Sequence, residues 1–414
     1  MKIVKIKIII SALFLGSILF LSCNSKQNQV QNQIPFSKTL NNIEQQLRFS
    51  EDIISSEISK SEKDLVSPRS VNENGSLRMV PAKDWCSGFY PGVFWEMAKL
   101  TGEAEWKVIA EKYTAPLEAE KWNGNTHDMG FKMFCSFGNG YLQTSDTVYR
   151  DILIQSAKTL VTRYNEKVGC IRSWDFNSDE WDFPVIIDNM MNLELLFWAS
   201  SATGDSLFAQ IAVKHAETTL KHHFRADNSC YHVVDYNPET GEVQHKQTHQ
   251  GYSDESSWSR GQAWALYGYT MCYRETKNHT FLKQAEKVAA FIMDHKNMPD
   301  DKIPYWDFDA PNIPNEPRDA SAAAVIASAL YELSTYSADG DTYKNYANQI
   351  TESLCSDSYL AKPGTNNGFI LKHSTGSKPH NSEIDVPLIY ADYYFVEALN
   401  RKNALSSLND QKVD

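Results

Sequence analysis

The sequence predicts an all-α protein, an (α/α)6 barrel made of six helical hairpins. Three observations carry that expectation. Past Phe36 the chain is rich in Ala, Leu, Glu, Lys and aromatic residues, and strand-like alternation is scarce. A coarse repeat recurs, in which an apolar segment containing Gly or Ala leads through a polar turn into a charged amphipathic segment. Apolar segments of this kind begin near residues 88, 128, 188, 260, 319 and 385. Wholly apolar helices belong inside and half-polar ones outside, so six alternations fit a closed double ring. An open α-solenoid fits the same pattern.

Residues 1–22 read as an export signal. Lys2, Lys5 and Lys7 precede an apolar run, Ile8 to Leu21, that is too short to span a bilayer comfortably. Leu21-Ser22-Cys23 resembles a bacterial lipobox, which implies a lipid on Cys23; plain secretion is the simpler alternative. The expected location is therefore that of an exported lipoprotein, periplasmic or outer-membrane associated. Residues 23–35 are rich in Gln and Asn and form a polar tether. Residues 36–402 form the domain, and 403–414 a polar C-terminal tail.

Within the domain the repeat is clearest three times. Gly88-Phe-Tyr-Pro-Gly-Val-Phe-Trp leads into Thr101-Gly-Glu-Ala-Glu-Trp, and Asp188-Asn-Met-Met-Asn-Leu into Thr203-Gly-Asp-Ser-Leu-Phe. Trp258-Ser-Arg-Gly-Gln-Ala-Trp leads into Lys277-Asn-His-Thr-Phe-Leu. Fainter copies start near His127, Arg318 and Asp385. One long stretch, Cys230 to Ser256, interrupts the pattern.

Composition narrows the function. With 40 basic and 52 acidic residues the formal charge is −12, which argues against nucleic acid as the main partner. The 42% hydrophobic content excludes bulk disorder. The 7 Cys are scattered with no Cys-x-x-Cys pair, so neither a zinc site nor a disulfide scaffold is expected.

Polar residues gather where the apolar segments begin. Asp319 and Asp385 read as helix N-caps. Asp128 and Asp188 do not. Asp188 already lies inside an apolar run, and its i+4 neighbour Asn192 shares its face, so two polar groups enter a buried helix and need partners or a task. Aromatic residues crowd the same places, among them Trp85, Trp174, Trp181, Trp258 and Trp264. Core packing is the ordinary role of such rings, but beside polar clusters they also suit a sugar-binding cleft.

Five stretches carry a family likeness: Trp85-Cys-Ser-Gly-Phe-Tyr-Pro-Gly, His127-Asp-Met-Gly-Phe, Ile186-Ile-Asp-Asn-Met-Met-Asn, Trp258-Ser-Arg-Gly-Gln-Ala-Trp-Ala-Leu-Tyr-Gly and Tyr390-Ala-Asp-Tyr-Tyr-Phe. In this order they resemble the unsaturated glucuronyl hydrolases, glycoside hydrolase family 88. The resemblance implies an (α/α)6 barrel that needs no cofactor or metal. It implies that Asp188 is the acid/base and Asp128 the second essential carboxylate. Trp85, His127, Trp174, His232, Gln250, Arg260 and Trp264 would line the sugar site. In relatives acting on sulfated substrates a Ser-x-x-Ser-x-Lys arrangement contacts sulfate. Here Ser374 and Ser377 are followed directly by Lys378, one residue early, and a flexible Gly-containing loop is the alternative.

The implied substrate is an oligosaccharide left by a polysaccharide lyase, ending in a uronic acid with a C4=C5 double bond. A proton added at C4 leaves an oxocarbenium-like centre at C5. Water adds there, the hemiketal opens, and the remaining sugar is expelled. That chemistry needs a carboxyl still protonated near neutral pH. Burial and a nearby negative charge supply it, against the pull of a helix N-terminus. Arg260, His127, His232 and Lys378 would form a local cationic island in an acidic protein. Two other readings remain open: a hydrolase of unsaturated galacturonyl ends in pectin fragments, and a non-catalytic sugar-binding lipoprotein. A metal site at His245 and His249 or at His222 and His223 lacks acidic or Cys partners at a recognised spacing. Gly-x-Ser-x-Gly does not occur, so a serine nucleophile has no support.

Overall fold

The computed structural model describes residues 36–410. The expected leader, Cys23, the tether and the last four residues lie outside them. The chain begins with α1 (Phe36–Lys60) and a hairpin of β1 (Ser67–Val71) and β2 (Leu77–Val80). It continues through α2 (Phe89–Thr101) and α3 (Ala104–Thr114). A π-helical segment, Gly130–Gly138, runs into α4 (Asn139–Thr144), and α5 (Thr147–Val161) follows. Three short strands come next: β3 (Tyr164–Asn165), β4 (Cys170–Ile171) and β5 (Pro184–Ile186).

A 3-10 turn, Ile187–Asn192, then opens α6 (Leu193–Thr203), which is followed by α7 (Ser206–His222). The strands β6 (Val233–Tyr236) and β7 (Val243–Gln247) precede α8 (Ser259–Thr276) and α9 (His279–Asp294). The chain ends with α10 (Ala320–Leu333), α11 (Gly340–Leu354) and α12 (Ile389–Asp410).

The even-numbered helices form the inner ring and the odd-numbered ones the outer. α12 packs back against α2, which closes the ring and excludes the open solenoid. Burial follows sequence character. Nearly every residue of α10 is buried, from Ala320 to Leu333, whereas α9 buries one stripe, Phe281, Leu282, Ala285, Val288, Ala289 and Ile292. The repeat seen in the sequence is the junction between inner and outer helices. An inner helix ends on a left-handed residue, Gly102 (φ 75°), Gly204 (φ 77°) or Lys277 (φ 55°). Where Asp205 or Asn278 follows, its side chain caps the next outer helix.

The short strands are the feature that the sequence reading lacked. They form three small antiparallel sheets, and the interrupted stretch after Cys230 supplies β6 and β7. α12 runs on to Asp410, through part of the stretch read as a polar tail. One expectation is corrected. Asp385 is not an N-cap: it has φ 54° and its carboxylate pairs with His373 Nδ1 at 2.6 Å, four residues before α12 starts. Asp319 caps α10, accepting from the amides of Ser321 and Ala322. No helix among the described residues is long and apolar enough to cross a membrane.

Candidate active site

Asp188 is delivered by a sheet. β5 pairs with β6 in the register Ile186↔Val233, and the Ile187 amide donates to the His232 carbonyl at 3.0 Å. That pairing sets Asp188 beside His232. The Asp188 side chain is only 13% exposed, and its Oδ2 is buried without a hydrogen-bond partner. Burial pushes its pKa up from the ordinary 3.8 to about 7. Arg260 and the residue's own amide oppose the rise, Asp128 adds to it, and the buried indole N–H of Trp264 opposes it again.

His232 is almost fully buried, and its Nδ1 accepts the amides of His249 at 3.1 Å and Gln250 at 3.2 Å. The proton therefore sits on Nε2, which lies 3.7 Å from Asp188 Oδ2. Burial drives His232 far below its ordinary value, with His249 and Arg260 pushing the same way, so the ring is a neutral donor.

Asp128 enters on the turn before the π-helical segment. Its Oδ2 accepts from Thr126 Oγ1 at 2.9 Å, and His127 Nε2 lies 3.1 Å from its Oδ1. His127 is buried, and its Nδ1 donates to the Ser173 carbonyl at 2.7 Å. Burial lowers its basicity more than Asp128 raises it.

Rings floor and wall this space. Trp85, Phe131 and Trp264 follow one another with centroids 5.4 and 5.3 Å apart. Trp174 stacks on the exposed Phe176 at 5.0 Å and meets His232 edge-on at 5.7 Å. His249 lies 5.0 Å from Trp174 and 4.3 Å from His380. Gln250 Nε2 donates to the Gly376 carbonyl at 3.2 Å, which ties the two loops together. Asp128, His127, Asp188, His232, Trp85, Trp174, Gln250 and Trp264 thus fall in one connected neighbourhood.

Phe176, His249, His380 and Ser173 were not singled out for this site from sequence. In the sequence the one local sign of the ring pair is that Phe176 follows Trp174 by two residues.

The cationic island is corrected. Arg260 is buried and spends its N–H groups on Asp319 Oδ2 at 2.7 Å and on the Thr375 and Gly376 carbonyls, each at 2.6 Å. Its charge still reaches Asp188, but its fork is a brace. Lys378 Nζ is paired with the buried carboxylate of Glu316. Burial holds His232 neutral, and His127 Nε2 is already taken up against the Asp128 carboxylate.

The Ser374, Ser377 and Lys378 arrangement does not converge either. Ser374 Oγ is buried and unpartnered, while Ser377 Oγ bonds His380 Nδ1 at 2.7 Å. In an extended ladder, residues three apart point to opposite faces, and here Ser374 pairs with Val386 and Ser377 with Ser382. A separate cavity of about 710 Å³, lined by Glu316, Arg318, Tyr359, Lys372 and His373, is not lined by Asp128 or Asp188.

The chain is similar in sequence and fold to known proteins. The sequence model of Glycosyl Hydrolase Family 88 matches residues 58–404. The chain is 56% identical over 330 residues to an unsaturated glucuronyl hydrolase of Formosa agariphila, covering 80% of this chain and 82% of that protein. It is 31% identical over 341 residues to an unsaturated chondroitin disaccharide hydrolase of Streptococcus agalactiae, covering 81% and 85%. A crystal structure of an unsaturated glucuronyl hydrolase specific for heparin superimposes with a TM-score of 0.85 at 48% identity, covering 89% of this chain and 97% of that one.

Proposed function

The chain belongs to glycoside hydrolase family 88 and is an enzyme of that family, and from that premise we propose that it removes the unsaturated glucuronyl residue from the non-reducing end of lyase-generated glycosaminoglycan oligosaccharides by hydrating the C4=C5 bond. The observation that carries this reading is Asp188: a buried carboxyl with an unpartnered oxygen, pushed up to about 7, beside a fixed neutral N–H donor.

In this mechanism protonated Asp188 delivers its proton to C4, and the C5 centre gains positive character. The resulting carboxylate then takes a proton from the water that adds to C5. The hemiketal opens, C5 becomes a ketone, and the hemiacetal at C1 expels the remaining sugar with its glycosidic oxygen. General acid–base help of this kind contributes about 10²–10⁴-fold. Asp128 has two roles here: its charge adds to the burial that keeps the proton on Asp188, and it steadies the positive centre. His232 Nε2–H and the Trp264 indole N–H supply neutral donors to the uronate. Trp174 and Phe176 offer a stacking face to the next sugar. With Arg260 and Lys378 already paired, recognition rests on shape and neutral donors, which suits a short oligosaccharide.

The test is a panel of lyase-cut heparin, chondroitin, hyaluronan and pectin fragments, followed by loss of the ultraviolet absorbance of the double bond. Loss on glycosaminoglycan fragments supports the reading. Loss on pectin fragments alone, or binding without loss, overturns it.

We also propose, from the leader sequence, that the enzyme is exported and lipidated at Cys23. Incorporation of labelled palmitate that Cys23→Ser abolishes would support this.

A further inference from the structure

We infer that Ser173 and Asn192 are positioning residues that fix the separation of Asp128 and Asp188, each clamping one flank of the Asp128 turn to the segment that carries Asp188. This rests on the reading of those two carboxylates as a working pair.

Ser173 is 1% exposed and bonds in three directions. Its amide donates to the Pro184 carbonyl at 2.8 Å, and its Oγ accepts the Ile186 amide at 2.9 Å. Its carbonyl accepts from His127 Nδ1 at 2.7 Å. One residue therefore holds both the strand that ends two residues before Asp188 and the imidazole next to Asp128. Trp174, the adjoining residue, is carried on the same segment.

Asn192 holds the other flank. It is 1% exposed, and its Oδ1 accepts the Phe131 amide at 3.1 Å. Gly130 makes room for it: a Cβ there would lie 2.6 Å from Asn192 Cα, so only glycine allows the two backbones to approach this closely. Asp128 is thus bracketed by clamps at 127 and 131, and Asp188 by clamps at 186 and 192. The two brackets share no hydrogen bond, so each constrains the pair independently. They also explain why Asn192 occupies the face of a buried turn four residues after Asp188.

Such clamps act on rate through geometry, since a displacement near 1 Å at a reacting group costs about 10²-fold. They also act on protonation. Asp188 faces Asp128 from the turn, His232 and Cys230 from the segment around β6, and Arg260 and Trp264 from α8. Burial is the main force that holds the proton on Asp188; if Asp128 recedes, the charge that adds to it weakens while Arg260 still pulls the other way.

The experiment compares Ser173→Ala, Ser173→Thr and Asn192→Ala with wild type on one unsaturated disaccharide, recording kcat, KM and the pH profile of kcat beside thermal melting. Ser173→Ala and Asn192→Ala are each expected to lower kcat by about 10- to 100-fold with KM nearly unchanged. Each should also move the alkaline limb of kcat to lower pH. Ser173→Thr keeps the hydroxyl and is expected to keep the wild-type limb. Should Ser173→Ala not fold, Ser173→Cys, with similar volume and a weak acceptor, carries the same expectation.

Folded variants with wild-type kcat and limb would overturn the inference. So would a fall in melting temperature with the limb unmoved, which is the mark of a purely structural role. Wild type runs in the same assay, so a failure of the functional reading shows there and a failure of the clamps shows only in the variants.

Discussion

His232 points Nε2 at Asp188 Oδ2 across 3.7 Å while its Nδ1 accepts two backbone amides, from His249 and Gln250. The amides fix the tautomer, so the group facing Asp188 is an N–H over the whole working range. A ring held this far below its ordinary basicity does not titrate near neutrality.

The pH profile of kcat should therefore report Asp188. The proton donor is the acid form, and Asp188 is held at about 7. Activity is expected to be level on the acid side and to fall tenfold per pH unit above that value. His232→Asn should lower kcat without creating or removing that limb. A limb that vanished with His232 would mean that the histidine is the titrating group.

Stability should carry the same signature with its own sign. Asp188 has a folded-state value near 7 against an ordinary 3.8, so the folded chain binds this proton more tightly than the unfolded one. Its contribution is full below about pH 4 and is lost as pH rises through 7. At about 1.4 kcal/mol per unit, the upper bound of the loss is about 4 kcal/mol. Asp188→Asn has no charge to bury. Its melting temperature is expected to gain on wild type across that window, while activity is abolished. Asp392, pushed up to about 8 by burial, titrates in both proteins and cancels in the difference.

Arg260 is expected to behave as a brace. Arg260→Ala leaves Asp319 buried and unpaired at 0% exposure and strips donors from two carbonyls. Breaking a buried pair from one side costs about 3–5 kcal/mol. Denaturant unfolding should show a loss of that size, and Arg260→Lys should not restore it because lysine lacks the planar fork. A loss below about 1 kcal/mol would mean that the fork is free for substrate.

Lys378 is expected not to read sulfate. Its ammonium is paired with Glu316, whose side chain is 0% exposed. The ratio of kcat/KM for sulfated and unsulfated disaccharides should change less than about fivefold in Lys378→Ala, the factor carried by ~1 kcal/mol. A larger change would mean that the pair opens for substrate.

Much of the barrel was legible because its helices differ in kind. The near-continuous apolar run of α10 and the one-sided stripe of α9 are local signals, and the caps at Asp205, Asn278 and Asp319 are written at the junctions. Closure was not legible, since the contact of α12 with α2 joins the two ends of the domain. The strands were missed because pieces of two to five residues owe their pairing to distant partners, as Ile186 does to Val233.

At the site, Asp128, Asp188 and Asn192 stood out as polar groups in apolar runs. Arg260 and Lys378 were visible as cations, but not the acids that neutralise them: Asp319 lies 59 residues from Arg260 and Glu316 lies 62 from Lys378. Ser173 was hidden because its importance lies in its backbone bonds as much as in its hydroxyl.

The most direct test of hydration at C4=C5 is a time course in D2O, followed by NMR, with an unsaturated glycosaminoglycan disaccharide. The predicted result is that the vinyl proton signal at C4 disappears no later than the leaving sugar appears, with one solvent deuterium placed at C4, and that Asp188→Asn does neither. A leaving sugar released while the C4=C5 signal persists would contradict hydration and point to displacement at the anomeric carbon.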